Sequence, residues 1–361
     1  MKQNNGAIDV MQVMPDFGLA GAERMAEALS IELTRRGKSV VCVSLFDKHT
    51  AITEELMDTG IKVEFLNKKS GADLTMVPKL RRLICKFSPT VMHTHRYCME
   101  YALPASVGLD VLRVHTVHNI ADKEVPKSLQ RLQRRAFRNG KVIPVAINET
   151  VQSSICKLYG LSNTQVPMVY NGISNSDIYP VDPLPGDSTA FTFLTIGRAE
   201  PQKNQLVLVK AFTRFHKKFS QTRLIIIGDG QLRQSIVDEI HEFDAAGYIF
   251  HLGGKPNASS YCYVADAFVL PSLYEGMPMT LIEAMQAGLP VLASRRGGST
   301  DMVRDGEDGY LCNPDEQSII DALTRIYLDP RREEIAAAGK IQGMKFTASA
   351  MADGYEKVYK F

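Results

Sequence analysis

Residues Leu270 to Ser294 read LPSLYEGMPMTLIEAMQAGLPVLAS. The apolar run Ala267 to Leu270 suits a short buried strand, and Pro271 stops it. Glu275, Gly276, Met277 and Pro278 form a loop. From Met279 to Gln286 the spacing predicts a helix with Leu281 and Met285 on one face, and Gly288 suits its end. Val291 and Leu292 begin a second strand. Glu275 falls on the loop and Glu283 inside the helix, with seven residues between them. A helix start presents free N–H groups and a positive dipole end, which suits a phosphate. A carboxylate beside that phosphate would repel it, so Glu275 is better suited to accept hydrogen bonds from hydroxyls. A nucleotide sugar carries both groups. The plainer reading, a surface loop and a solvated helix glutamate, stands beside this one.

Working outward, strand and helix keep alternating. Ile8 to Met14 reads as a strand, Pro15 to Ala20 as a loop, Gly21 to about Arg36 as a helix, and Val40 to Phe46 as a strand. The unit has the order of a dinucleotide-binding fold. Only Gly18 and Gly21 stand where a G-x-G-x-x-G fingerprint needs three glycines, so no nicotinamide or flavin is expected. Later strands end at His95 and His118, helices cover Val77 to Phe87 and Lys127 to Lys141, and Asn148 caps another helix. Asp177 to Thr189, with Pro180, Pro183, Pro185 and Gly186, is the best linker. Beyond it strands over Thr192–Ile196, Leu224–Ile227 and Tyr248–Leu252 alternate with helices. The last helix covers about Ser349 to Tyr359.

A chain of 361 residues is long for one core. The expected fold is α/β, with two Rossmann-like, doubly wound parallel-sheet domains facing a cleft. Residues 1–176 form the first and residues 177–345 the second, and ligands bind beyond the strands' carboxyl ends.

Composition narrows the function. The chain is 45% hydrophobic and 23% charged, with a net charge of +2 that gives no support to nucleic-acid binding. Six scattered cysteines without C-x-x-C pairs read as reduced thiols. His93, His95, His115 and His118 cluster at strand ends but lack metal-ligand spacing, so no metal is expected. The residues from Met1 to Asn5 are polar, and no run is apolar enough to span a bilayer. A cytoplasmic protein, at most lying on a membrane, is expected. Gly197-Arg198 and Lys203 place two cations at a strand end, where arginine can grip phosphate oxygens and lysine acts as a point charge. A solvated surface pair is the alternative.

The order EGMPMTLIE, then AMQAGLPVLAS, then GGSTDMVRDGEDGYL resembles the signature of the retaining glycosyltransferases of family four, the glycosyl transferases group 1, which have the GT-B fold. The resemblance covers nearly the whole chain. It implies transfer of a sugar from a nucleoside-diphosphate sugar, UDP- or GDP-linked, to an acceptor hydroxyl, with no cofactor beyond that co-substrate. It implies that Arg198 and Lys203 hold the diphosphate together with the helix start formed by Gly276, Met277, Pro278, Met279 and Thr280. It further implies that Glu275 holds sugar hydroxyls, Glu283 the ribose, and the backbone around Leu252, Gly254 and Lys255 the base. His118 matches the position beside the transferred sugar. The family's Gly-Gly-Ala-Glu has Ala20 in its first place here, leaving Gly21 to approach the donor phosphate. Asn171-Gly172-Ile173 matches an Asn-Gly-Ile turn, and Asp301 stands where the family usually has Glu. The family's last helix crosses back to the first domain, here residues 346–361. A nucleotide-sugar epimerase, a phosphorylase or a non-catalytic nucleotide-sugar-binding protein would use the same scaffold.

Pro126 to Lys141 reads PKSLQRLQRRAFRNGK, with Leu129, Leu132 and Ala136 on one face, Phe137 beside them, and five cations around the rest. A second basic helix carries Lys79, Arg81, Arg82 and Lys86. Either both show basic faces to water, or both meet an anionic membrane that presents a lipid-linked glycan acceptor.

Overall fold

Strand–helix alternation runs the length of the chain in the computed structural model, which describes residues 7–18, 21–174 and 178–361. The end of the first loop at Ala20, the start of the linker at Asp177 and the domain border at 176 and 177 lie outside those residues. The chain divides into two units, Met1–Ser174 with Thr347–Phe361, and Asn175–Phe346.

The first unit runs β1 (Val10–Met14), α1 (Gly21–Arg35), β2 (Val40–Ser44), α2 (Ala51–Asp58), β3 (Lys62–Phe65), α3 (Met76–Phe87), β4 (Val91–His95), α4 (Met99–Ala105), β5 (Leu112–Val117), α5 (Ala121–Glu124), α6 (Lys127–Arg138), β6 (Ile143–Ala146) and α7 (Glu149–Tyr159). Its six strands pair in the order β3-β2-β1-β4-β5-β6, all parallel. The central strands β1 and β4 are buried on both faces, and the buried polar residues Gln12, His93, Thr94 and His95 interrupt the apolar run such strands usually show. One face packs Val10, Val91 and Val114 against Met25, Leu29 and Leu33 of α1. The other packs Met11, Val13 and Met92 against Leu80 and Ile84 of α3 and Ala102 of α4.

The second unit runs β7 (Phe191–Ile196), α8 (Gln205–His216), β8 (Thr222–Ile227), α9 (Arg233–Glu242), β9 (Ile249–His251), β10 (Ala267–Leu270), α10 (Met279–Ala287), β11 (Val291–Ser294), α11 (Ser299–Met302), β12 (Tyr310–Cys312), α12 (Glu316–Leu328) and α13 (Arg332–Gly343). Its strands pair in the order β12-β11-β10-β7-β8-β9, again all parallel. Gly288 ends α10 in the left-handed region at φ +86°, a conformation that costs glycine nothing.

The last helix, α14 (Ala348–Tyr359), returns to the first unit. Thr347 caps it, its side chain accepting from Ala350 N–H. Met351, Tyr355 and Tyr359 join the α1 face of the core, and Arg36 reaches Asp353 at 2.7 Å and Glu356 at 2.8 Å. The entry point is tight. Ala348 N–H donates to Ile173 C=O at 2.9 Å, and a Cβ on Gly172 would stand 2.0 Å from the Thr347 carbonyl oxygen. The Asn-Gly-Ile turn therefore needs its glycine for close backbone approach. α6 departs from the sequence reading in two ways. α6 stops at Arg138, where Gly140 turns the chain at φ +64°. Leu132, expected on the packed stripe of α6, is 37% exposed, while Gln133, Ala136 and Phe137 are buried.

Gly172→Ala is expected to lower the melting temperature markedly, since overpacking a tight site typically costs ~1–3 kcal/mol. Gly247→Ala, where a Cβ meets nothing within 4 Å, serves as the control and should be near neutral. Thermal unfolding of both variants checks this.

Candidate active site

In the second unit the site grows from glycines at strand ends. A Cβ on Gly228 would lie 2.0 Å from the Gly197 carbonyl oxygen, and one on Gly230 would lie 2.6 Å from that of Ala199. The loops after β7 and β8 thus pack backbone on backbone. Asp229 between these glycines accepts from Gly254 N–H at 2.7 Å and pairs with Arg233 at 2.8 Å. This fixes the Leu252–Lys255 loop and leaves Gly254 N–H occupied. Lys255 pairs with Asp182 at 3.0 Å.

The loop after β7 turns at Pro201–Lys203, and Asn204 takes the left-handed region at φ +58°, which asparagine tolerates better than most residues. Its Nδ2 donates to the carbonyls of Pro271 and Pro314, at 3.1 and 2.9 Å. That anchoring aims Lys203 at the loop after β10, where Lys203 Nζ meets Glu275 Oε1 at 2.7 Å. Gln202 supports the same loop: its Nε2 donates to Tyr274 C=O at 2.9 Å and to Glu275 Oε2 at 3.3 Å. From the other side Gly298 N–H donates to Glu275 C=O at 3.0 Å, and a Cβ on Gly297 would stand 2.3 Å from that oxygen. Glu275 is therefore a buried, clamped carboxylate and not a solvated loop residue.

Pro278 precedes α10, whose backbone bonding begins with Leu281 N–H to Pro278 C=O at 3.1 Å. The N–H groups of Met279 and Thr280 lie ahead of that first bond, as at any helix start. Glu283 is half-buried on the same helix, and Asp301 lies on α11. Arg198 is 60% exposed and pairs with Glu200 at 2.9 Å. The structure thus brings Lys203, Gln202, Glu275 and Gly297–Gly298 into direct contact. Arg198 stands at the same strand end, five residues before Lys203.

In the first unit Gly21 opens α1, and Glu23, in its first turn, is buried and receives Arg96 at 2.9 Å. His118 belongs to a histidine network at the ends of β4 and β5. His95 Nε2 lies 2.8 Å from Gln12 Oε1, and its Nδ1 lies 2.9 Å from His118 Nε2. An amide oxygen only accepts, so His95 carries its proton on Nε2 and accepts from His118 Nε2–H. His118 is left with a buried, unprotonated Nδ1 that meets no partner among the described residues. His93 bridges Tyr359 OH at 2.6 Å and Thr116 Oγ1 at 2.7 Å, and Thr116 in turn meets Tyr355 OH at 2.7 Å. These histidines bond to one another and to hydroxyls, and among the described residues no three His, Cys, Asp or Glu side chains are grouped to hold a metal ion.

Burial pushes the imidazoles toward the neutral form. His118 falls to about 3 and His115 to about 4, and His93 and His95 fall well below their ordinary value near 6.5. Burial pushes three carboxyls of the same unit up, Glu27 and Glu100 to about 8 and Glu124 to about 7. The two sets oppose each other. The histidine contribution is full above about pH 6.5 and is lost as pH falls toward 3–4. The carboxyl contribution is full below about pH 4.5 and is lost as pH rises toward 8. Thermal stability of the first unit is therefore expected to peak at mildly acidic pH and fall on both sides. A melting temperature that climbs steadily to pH 8 would contradict this.

A profile described as Glycosyl transferases group 1 matches residues 182–342, and one described as Glycosyltransferase Family 4 matches residues 19–176. An uncharacterized glycosyltransferase of Methanocaldococcus jannaschii is 27% identical over 208 residues, covering 58% of this chain and 43% of its own. The UDP-Gal:alpha-D-GlcNAc-diphosphoundecaprenol alpha-1,3-galactosyltransferase of Escherichia coli is 24% identical over 308 residues, 79% of each chain. The chain thus spans under half the length of the first relative and about four-fifths of the second. Among solved structures, Anabaena HepE in complex with UDP and glucose superposes with a TM-score of 0.83 at 18% identity, over 98% of this chain and 99% of that one. With one profile on each unit and two six-stranded parallel sheets of matching fold, the chain belongs to the GT-B glycosyltransferases of group 1.

Proposed function

We propose that this protein is a retaining glycosyltransferase of family four that moves a sugar from a UDP- or GDP-sugar to an acceptor hydroxyl, the acceptor being a lipid-linked glycan of surface polysaccharide synthesis. The buried Lys203–Glu275 pair carries the proposal, because it sets a phosphate-binding cation and a hydroxyl-binding carboxylate side by side. The Escherichia coli relative, a galactosyltransferase named for a diphosphoundecaprenol-linked sugar, supports the acceptor class.

Each residue has a role consistent with its chemistry. An ammonium has three N–H donors, and Glu275 takes one of those of Lys203, leaving two for phosphate oxygens. The exposed Arg198–Glu200 pair is of the weak kind that a diphosphate displaces readily. The N–H groups of Met279 and Thr280 add the helix-start donors. Together they stabilise charge on the departing diphosphate without calling on a metal ion. Glu275 accepts from sugar hydroxyls, Glu283 from the ribose, and the Leu252–Lys255 backbone meets the base. His118 offers Nδ1 as an acceptor to a sugar hydroxyl. No carboxylate of this set is free to act as a nucleophile in the way retention usually requires. The acceptor oxygen therefore bonds to the anomeric carbon on the face from which the diphosphate leaves, and its proton passes to the departing phosphate oxygen.

Arg198→Ala and Lys203→Ala are each expected to reduce kcat/KM by an amount equivalent to about 2–4 kcal/mol, measured in buffer with excess chelator. Arg198→Ala should keep the wild-type melting temperature. Lys203→Ala strands a buried carboxylate and should lose stability too. Near-normal turnover in both variants, or turnover that appears only with added magnesium or manganese, contradicts the assignment.

Glu275→Gln is expected to lose transfer while still binding free nucleoside diphosphate. Glu283→Gln is expected to weaken that binding. Calorimetric titration with UDP and GDP separates the two, and wild-type affinity in Glu283→Gln would remove its ribose role.

A further inference from the structure

A cavity of about 490 Å³ opens between α4 and α6, lined by Leu103, Pro104, Val107, Leu132 and Ala136 and edged by Arg135 and Lys141. Its volume lies in the range of small-ligand sites, roughly 300–1,000 Å³. We propose that this cavity takes one acyl chain of an anionic phospholipid, with the lipid phosphate held between Arg135 and Lys141.

Three observations carry it. First, the lining is apolar where a side chain would normally fill it. Val107 is 65% and Leu132 37% exposed at its mouth, so hydrocarbon entering there removes apolar surface from water. Second, the cations at the edge are available. Neither Arg135 nor Lys141 makes an ion pair or side-chain hydrogen bond among the described residues, and both are exposed. Arg113, also on the lining, is committed elsewhere, its guanidinium donating to Ser106 and to the carbonyls of Leu109 and Val111. Third, Glu100 lines the cavity with both carboxyl oxygens buried and without a hydrogen-bond partner. Burial holds that carboxyl in its protonated form at neutral pH, so it offers an O–H donor instead of a repelling charge. The exposed cations Lys127, Arg131 and Arg138 on the same helix favour an anionic leaflet over a soluble anion.

The inference rests on the membrane side of the proposed function and shares no residue with the donor site. The test uses the full chain and monomeric dihexanoyl phosphatidylglycerol, below its micelle concentration, in a calorimeter. Saturable one-site binding is expected, at least tenfold weaker for dihexanoyl phosphatidylcholine and for glycerol phosphate, which lacks the chains. Arg135→Glu with Lys141→Glu, and separately Leu132→Glu, should each weaken it at least tenfold while UDP binding stays unchanged. Absent or non-saturable binding overturns the proposal, as does equal binding of glycerol phosphate or indifference to Leu132→Glu. Sedimentation with phosphatidylglycerol vesicles, run in parallel, reports surface attraction alone. Vesicle binding that persists while the monomeric lipid fails removes the cavity and leaves the basic surface of α6 standing.

Discussion

Lys203 and Glu275 are 72 residues apart in sequence, and their side chains meet at 2.7 Å with only 17% and 6% of their surfaces exposed. Two charges brought so far out of water must be well paired, since removing one partner leaves an uncompensated buried charge at a typical cost of ~3–5 kcal/mol. The surrounding backbone answers that demand. Asn204, Gln202, Gly297 and Gly298 hold the two loops, each by a hydrogen bond or an approach too close for a side chain. The pair is weak evidence of stability, because an apolar replacement of the same shape could serve the fold as well. A clamped carboxylate beside a cation is useful to chemistry in a way that an apolar pair is not.

The first unit solves a different problem with the opposite means. It buries neutral polar groups and connects them: Gln12, His95 and His118 in one chain, and His93, Thr116, Tyr355 and Tyr359 in another. A buried polar group is costly when unpaired, so a network closed by hydroxyls from α14 ties the terminal helix to the ends of β4 and β5. The residue count between them is large, yet the tie is local in space. Among the described residues two ring nitrogens of the buried imidazoles are left open, Nε2 of His115 and Nδ1 of His118, the latter the residue expected beside the sugar.

The fold was legible because buried parallel strands such as β10 read as apolar runs, and because glycines and prolines punctuate them. β4 ends at His95, where the sequence reading put that strand's end. What periodicity could not show were elements without a clean stripe: α4, which holds Pro104, and the three-residue β12, whose partner is chosen by the sheet. In the site, Lys203 and Glu275 were legible as residue types in a spacing. Gln12, Arg96 and Gln202 carry no motif, and Glu23, which ends the Gly-Gly-Ala-Glu stretch, had no partner legible there; their parts are set by contacts across many residues, such as Arg96 to Glu23 over 73 positions. Nothing in the sequence marks Gly228 and Gly230 as the places where one loop's backbone presses on another's.

The two basic helices looked alike in sequence and are used differently. On α3, Lys79 donates to Leu66 C=O, Arg81 to the carbonyls of Ala105 and Val107, and Lys86 pairs with Glu64. Those cations close helix ends and loops within the unit, which is reason enough for their presence. On α6, Arg134 alone finds an acceptor, Leu158 C=O, while Lys127, Arg131, Arg135 and Arg138 face outward without one among the described residues. A chain with a net charge of only +2 has no general excess of cations to place there. Like charges crowded on one helix face repel each other, and among the described residues no acidic side chain forms an ion pair with them. An anionic surface outside the protein would offset that repulsion, so on the proposal made above the asymmetry between α3 and α6 favours α6, and the cavity beside it, as the place where such a surface would be met.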